Sequence, residues 1–321
     1  MHPILGIVVP CYNEQEVLPE TLKQLSDIVD SLTQDSLISA ESKIILVDDG
    51  SKDTTWNLIE EAAHSDKRIC GIKLAANSGH QNALIAGLAS TVEMCDIIIS
   101  IDADLQDDVT VMKDMVKKYL DGNDIVYGVR ASRETDSFFK KNSALMFYKL
   151  MNTLGTKTIY NHADYRLMSK RAVKILLSYP ERNMFLRGIV PLIGFKTDTV
   201  TYDRRARIAG ESKYPLKKMI SFAINGITSF SIRPIRLIFS AGMIMLLITI
   251  TVSLYTLFAY FAGKTIQGWT SLMLSLWFIG SLVLISLGII GEYIAKIYVE
   301  VKKRPRFFIE KTIIDGKDNS I

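Results

Sequence analysis

Residues 99–108 read ISIDADLQDD, so the apolar run at 97–99 ends in four carboxylates within seven positions. The β-branched run predicts a buried strand, and this much negative charge at its end is unfavourable without a counter-charge. In an extended segment residues two apart point the same way, so Asp102 and Asp104 project together and Ala103 faces the other side. Two hard oxygen ligands on one edge suit Mg²⁺ or Mn²⁺, which is usually held by one or two carboxylates together with substrate phosphates. The implied counter-charge is therefore a divalent cation carrying a diphosphate, and Gln106 can add a further oxygen contact. An Asp-rich turn capping a helix is the competing reading. It fits Asp107 and Asp108, which fall where a helix at 109–120 needs N-terminal acids.

Outward from this stretch the chain alternates in type. Apolar runs at 4–10, 43–50, 69–75, 96–104 and 124–130 predict strands, and the segments at 16–32, 54–63, 81–90 and 109–120 predict the intervening helices. The strand runs are continuous rather than alternating, as strands covered on both faces should be. Strand–helix–strand order predicts a doubly wound, mostly parallel α/β sheet, in which ligands bind beyond the carboxyl ends of the strands. Asn13 and Glu14 follow the first strand, Asp48 and Asp49 close the second, and Asp102 and Asp104 close the fourth. Three strand ends thus converge on one crevice.

The 321 residues are 48 % hydrophobic, with a mean hydropathy of +0.19. That excess is local: residues 237–262 carry no charge, and neither do residues 265–291. Each run would span about 39 Å as helix, more than the ~30 Å hydrocarbon layer. Two buried helices of a soluble core would not need such length, so the expectation is a two-helix transmembrane hairpin at about 237–262 and 267–291. Arg233 and Arg236 precede it, Lys296, Lys302, Lys303, Arg304 and Arg306 follow it, and only Lys264 lies between. The positive-inside rule then puts both termini in the cytoplasm. The start MHPILGIVVPCYNE lacks a basic region and is too short in its apolar part for a signal peptide. Cys11, Cys70 and Cys95 show no paired spacing, which suits free thiols in a reducing compartment. With a net charge of only +4, the expected partner of the basic residues is anionic lipid, not nucleic acid. Residues 138–155 and 214–232 have the pattern of amphipathic interfacial helices, and packing of the first against the sheet is an equal alternative. The expected organisation is a cytosolic domain at 1–213, a juxtamembrane helix at 214–233, membrane helices within 234–296 and a basic cytosolic tail at 297–321, loose after Lys311. Small residues Gly280, Ser281, Gly288 and Gly291 offer a helix contact for a possible homo-oligomer.

Other chemistries lack their signatures. No GxGxxG follows the first strand, no GxxxxGK[ST] occurs, and His2, His64, His80 and His162 form no HExxH and no zinc spacing with cysteine. No Ser-centred nucleophile elbow is found.

The segments VVPCYNE, VDDGSKD, NSGHQNAL, DADLQDD, ADYRLMSK and RIAGESKY, in this order, resemble the family 2 glycosyltransferases. They are most similar to the polyisoprenyl-phosphate branch, which includes dolichol-phosphate mannose synthase and the bactoprenol glucosyltransferases. The likeness covers about residues 5–215 and the two apolar runs. The QxxRW motif of processive synthases is missing. The resemblance implies a GT-A-like fold and inverting, metal-dependent transfer of a hexose from a nucleotide sugar, UDP-glucose favoured, to polyprenyl (undecaprenyl) phosphate at a bacterial cytoplasmic membrane. It implies that Pro10, Tyr12, Glu14, Val47 and Asp49, with Asn77 and Ala103, hold the donor. It assigns the cation to Asp102, Asp104 and Gln106, and a phosphate contact to Arg130. Arg207 and Lys213, beside Arg204 and Arg205 and with Gly210 as hinge, match a basic loop over the diphosphate. Asp164 is the implied base or acceptor-orienting carboxylate, with Arg166 as its partner or a phosphate contact; a structural ion pair between the two is the alternative. Transfer to another lipid such as diacylglycerol, and a non-catalytic nucleotide-sugar sensor, are the competing functions.

Overall fold

The computed structural model describes residues 2–130, 162–182, 185–203, 233–262 and 268–320. In chain order the elements are β1 (Leu5–Cys11), α1 (Leu18–Gln34), β2 (Lys43–Asp48), α2 (Thr55–Ser65), β3 (Ile69–Leu74), α3 (His80–Thr91), β4 (Ile97–Ser100), a 3-10 turn (Val109–Val111), α4 (Met112–Leu120) and β5 (Ile125–Arg130). There follow β6 (His162–Ser169), α5 (Lys170–Ser178), a short α6 (Leu186–Ile189), β7 (Thr197–Tyr202), α7 (Arg233–Phe261), α8 (Trp269–Lys302), β8 (Ile309–Ile314) and β9 (Lys317–Ser320).

The strands form one sheet in the order β7-β5-β6-β4-β1-β2-β3-β8-β9. The parallel centre β4-β1-β2-β3 is the predicted one, with Leu5 facing Ile97 and Gly6 facing Lys43. β6 enters antiparallel between β4 and β5, and β8 antiparallel beside β3. The sheet is therefore mixed, with only β6 and β8 reversed. Its apolar strands are covered on both faces. Leu18, Leu25 and Val29 of α1, Ile59 of α2 and Met112, Met115 and Val116 of α4 pack on one side. Ala83 to Leu88 of α3 and Ala172, Val173 and Leu176 of α5 pack on the other. α3 lies closest to the sheet, because Gly87 lets it approach: a Cβ there would stand 2.4 Å from a Val8 methyl and 2.9 Å from a Val47 methyl. The three cysteines are free and buried.

Two expectations are corrected. The chain after Lys311 is not loose: β8 pairs with β3 from Gly71 opposite Ile313, and β9 pairs back on β8. Ion pairs fasten this hairpin to the domain, namely Lys43–Asp315, Lys73–Glu310 and Lys311–Glu60, while Lys311–Asp318 joins its two strands. Its charged residues concealed it, since an edge hairpin with ion-paired faces carries little hydrophobic period. The fourth strand also ends earlier than expected, at Ser100, and residues 103–105 form a turn.

Among the described residues one stretch, Phe278–Lys302 in α8, is long and apolar enough to cross a membrane, at 25 residues and mean hydropathy 2.0, with none of it buried. In α7 a shorter apolar stretch, Ile238–Val252, meets the composition but not the length. Nothing lies within 4 Å of an added Cβ at Gly280, Gly288 or Gly291. The two amphipathic segments expected at 138–155 and 214–232 lie outside the described residues.

The close α3–sheet approach gives a direct test. Gly87→Ala should destabilise the protein by about 1–3 kcal/mol through overpacking against Val8 and Val47, read as a fall in the thermal unfolding midpoint of the purified chain.

Candidate active site

The loops after β1 and β2 are stitched together by side chains that the motif residues supply. Asn13, at φ 55°, donates its N–H to Ser51 Oγ at 2.9 Å and accepts from Lys52 N–H at 2.9 Å. Glu14 N–H donates to Thr55 Oγ1 at 2.8 Å, and Thr54 donates to Gln15 Oε1. The resulting groove of about 430 Å³ is lined by Asn13, Glu14, Gln15, Lys52 and Asp53. Tyr12, next to Asn13 in the chain, is exposed, while Pro10 and Val47 are buried in the sheet.

The two aspartates closing β2 have separate tasks. Asp48 is fully buried; one oxygen accepts from Ser51 N–H at 3.2 Å and the other has no partner. Burial raises its pKa. Asp49 accepts from Ser78 N–H at 2.6 Å and Gly79 N–H at 2.9 Å, so its carboxylate shapes the loop that enters α3. Gly50 permits this: at φ +67° a Cβ there would meet Asn77 N at 2.6 Å. Asn77 itself is exposed in that loop.

The acidic turn after β4 presents Asp102 and Asp104 half-buried and turns Ala103 inward, as expected, but through a turn rather than an extended strand. Leu105 takes φ 53°, a left-handed conformation that costs a branched residue about 1–3 kcal/mol and marks a constrained site. The turn is held by Thr21, whose hydroxyl donates to Ala103 O at 2.8 Å, and by Gln106 N–H, which donates to Asp104 at 3.3 Å. The Gln106 side chain is largely buried behind it. Asp108 caps the 3-10 turn by accepting from Thr110 N–H at 3.0 Å, as predicted. Asp107 does not cap: it is buried and accepts from Tyr202 Oη at 2.6 Å and Arg130 at 3.2 Å. Arg130, expected on a phosphate, meets Asp107 from the end of β5, and its β7 neighbour Tyr202 meets the same carboxylate, contacts between distant segments that local sequence did not indicate.

On β6, Asp164 is 11 % exposed and lies between two guanidiniums. Arg166, 1 % exposed, bonds one carboxylate oxygen, and Arg187 Nη2 donates to the other at 3.0 Å. Ser100 Oγ donates to Asp164 O at 2.6 Å and pins this strand to β4. Burial alone would raise the Asp164 pKa, but Arg187 and Arg166 outweigh it and hold the carboxyl well below the usual carboxylate range. One nitrogen of Arg166, Nη1, is buried without a partner. Arg187 went unseen in the sequence because a lone arginine in FLRGIV carries no pattern.

Asp102 behaves oppositely. Burial first, then the charges of Asp164, Asp107 and Asp104, push it up to about 6 against the pull of His80. Asp102 thus sits among other carboxylates at this mouth. Hard carboxylate oxygens close together are what Mg²⁺ or Mn²⁺ requires, so Asp102 and Asp104 fit a divalent cation. His80, the first residue of α3, was not expected here; its Nε2 lies 3.3 Å from Asp102 Oδ1. A second group of possible ligands, Glu60, His64 and Asp318, lies on the β8–β9 side, where Lys311 already meets both acids. Arg204, Arg205, Arg207, Gly210 and Lys213 lie outside the described residues.

Comparison with known proteins gives consistent results. The family model described as Glycosyl transferase family 2 matches residues 6–177. A Bacillus subtilis (strain 168) protein named Uncharacterized glycosyltransferase YkoT is 54 % identical, over 96 % of this chain and 91 % of that one. The Bactoprenol glucosyl transferase of Shigella phage SfII is 37 % identical over 96 % of this chain and 98 % of its own. The Prophage bactoprenol glucosyl transferase homolog of Escherichia coli (strain K12) is 36 % identical over the same shares, 96 % and 98 %. Among solved structures, glucosyl-3-phosphoglycerate synthase from Mycobacterium tuberculosis, in complex with Mn²⁺, UDP and phosphoglyceric acid, aligns with a TM-score of 0.46 at 17 % identity, covering 70 % of this chain and 76 % of that one.

The Asp164 cluster makes a stability prediction. Asp164→Asn strips the charge that faces a fully buried Arg166 and should cost about 3–5 kcal/mol. Asp104→Asn, which relieves like-charge crowding, should change stability by less than about 1 kcal/mol. Thermal or denaturant unfolding of the two variants measures the contrast.

Proposed function

The chain belongs to glycosyl transferase family 2, and from that premise we propose that it transfers a hexose, glucose favoured, from a nucleoside-diphosphate sugar to polyprenyl phosphate at the cytoplasmic face of a membrane. The observation that carries the reading is the meeting, at one mouth, of a cation-seeking acidic turn and a carboxylate clamped by Arg166 and Arg187. The relatives named as bactoprenol glucosyl transferases, alike over nearly the whole chain, support the lipid acceptor and the sugar.

The residues divide the work. Glu14 lines the groove where a nucleotide base and ribose would lie, and the exposed Tyr12 precedes that groove in the chain. Asp102 and Asp104, with Gln106 behind them, would hold Mg²⁺ or Mn²⁺, whose charge would stabilise the departing nucleoside diphosphate. Arg207 and Lys213 belong to the same task on the basic loop. A phosphate oxygen of the acceptor attacks the anomeric carbon from the side opposite the diphosphate, so the reaction inverts. That oxygen is already ionised near neutral pH and needs no base. Asp164, held strongly acidic by its two arginines, is poorly suited to take a proton and well suited to orient the acceptor with Arg187.

The acceptor's chain explains the membrane helices. We assign α7 and α8 as two spans. The return of the chain to the sheet as β8, only six residues after α8 ends, supports a common side for the catalytic domain and the C-terminus. The excess of Lys and Arg at both ends of the pair supports the cytoplasm as that side.

Purified protein incubated with Mn²⁺, undecaprenyl phosphate and radiolabelled UDP-glucose should yield a labelled lipid that mild acid cleaves. Label in an acid-stable glycolipid would favour diacylglycerol as acceptor, and nucleotide binding without transfer would favour a sensor. Asp104→Asn should lower turnover by about 10²–10³-fold while the protein remains folded.

A further inference from the structure

His80 contributes to none of the roles assigned above, yet it stands beside Asp102 in the cleft. Its Nε2 is 3.3 Å from Asp102 Oδ1, with 43 % and 38 % of the two side chains exposed. It acts electrostatically on Asp102, Asp49 and Asp164 together, which come from three different strand ends. It is also the first residue of α3, so the positive end of that helix dipole points the same way. The loop delivering it is fixed: Asp49 accepts from both Ser78 N–H and Gly79 N–H, and Gly79 enters the helix at φ +91°. The imidazole is thus held at Asp102 by a loop whose shape depends on another aspartate of the site.

An imidazole nitrogen at this distance and a hydrated divalent cation cannot both occupy the same face of Asp102. Nor is an imidazole the preferred donor for Mg²⁺ or Mn²⁺, whose ligands are predominantly carboxylate and phosphate oxygens. We propose that His80 is the resident counter-group of the cation site: its imidazole occupies Asp102 when no cation is bound and must leave that oxygen when one binds. The inference rests on the assignment of Asp102 and Asp104 as cation ligands. Its consequence is that the bare site binds Mn²⁺ weakly. A donor nucleotide, bringing its own phosphate oxygens, then tips the exchange toward the cation.

The test is Mn²⁺ binding to the purified full chain without nucleotide, followed by the loss of the free-ion signal in electron paramagnetic resonance. His80→Ala should bind Mn²⁺ about two- to fivefold more tightly than the unaltered protein, the gain expected from removing a half-exposed competing pair. His80→Gln, which keeps a polar side chain but no imidazole, should fall between them. Weaker binding in His80→Ala would make His80 a ligand, and unchanged binding would make it a bystander; either result overturns the proposal. A parallel titration with UDP present separates the two levels of the argument. Mn²⁺ binding there with no effect of His80 sinks only this inference, whereas no Mn²⁺ binding to any variant, with or without UDP, sinks the cation site itself. Unfolding curves of the variants establish that each is folded at the titration temperature.

Discussion

Asp102 and Asp104 on the turn after β4 and Asp164 on the adjacent β6 bring like charge to one partly desolvated mouth. Like charges in such a place repel strongly unless countered, because water screens them less than at an open surface. The molecule counters them unequally. Asp164 receives two guanidiniums and becomes a fixed anion. Among the described residues Asp102 receives an imidazole at its edge, and burial together with neighbouring carboxylates raises its pKa. One acid is thereby a fixed anion between two arginines, and the other is held among carboxylates beside an imidazole. A doubly wound sheet supplies the geometry for this contrast, since its strands deliver residues from β1, β2, β4 and β6 to the same edge.

The surrounding architecture holds that edge in place. The β1 and β2 loops bind each other through Asn13, Ser51, Lys52 and Thr55, and α3 packs tightly through Gly87. Asp107, buried with Arg130 and Tyr202, anchors the far side of the acidic turn. The chain beyond α8 rejoins the sheet at β3, whose end leads directly into the loop carrying Asn77 and His80; Ala75 N–H donates to Phe308 O at 2.9 Å. An apolar helix is therefore tied within a few residues to the loop that shapes the cleft.

Much of this was legible in the sequence. The four central parallel strands and their helices follow from continuous β-branched runs, and their bounds differ from expectation by a few residues. The α/β fold, the family and the enzyme class follow from the strand–helix alternation and from motifs that keep their order along the chain. What escaped was non-local. β8 pairs with a strand far earlier in the chain, and its charged residues look loose until their partners on α2 and β2 are known. Asp107 looked like a cap because its sequence position suits one, but Tyr202 and Arg130 reach it from β7 and β5. Arg187 is a single residue with no periodicity or spacing to mark it, and His80 lies in the NSGHQNAL motif without an assigned role; the fold brings them to Asp164 and Asp102.

The central claim is that the carboxylates of Asp102 and Asp104 after β4 receive a divalent cation that bridges to a nucleoside diphosphate. Anomalous diffraction from crystals of the full chain grown with UDP and Mn²⁺ tests it most directly. The account predicts a manganese peak at Asp102 and Asp104 in contact with the diphosphate oxygens. UDP seated in the cleft with no manganese at those residues would contradict it.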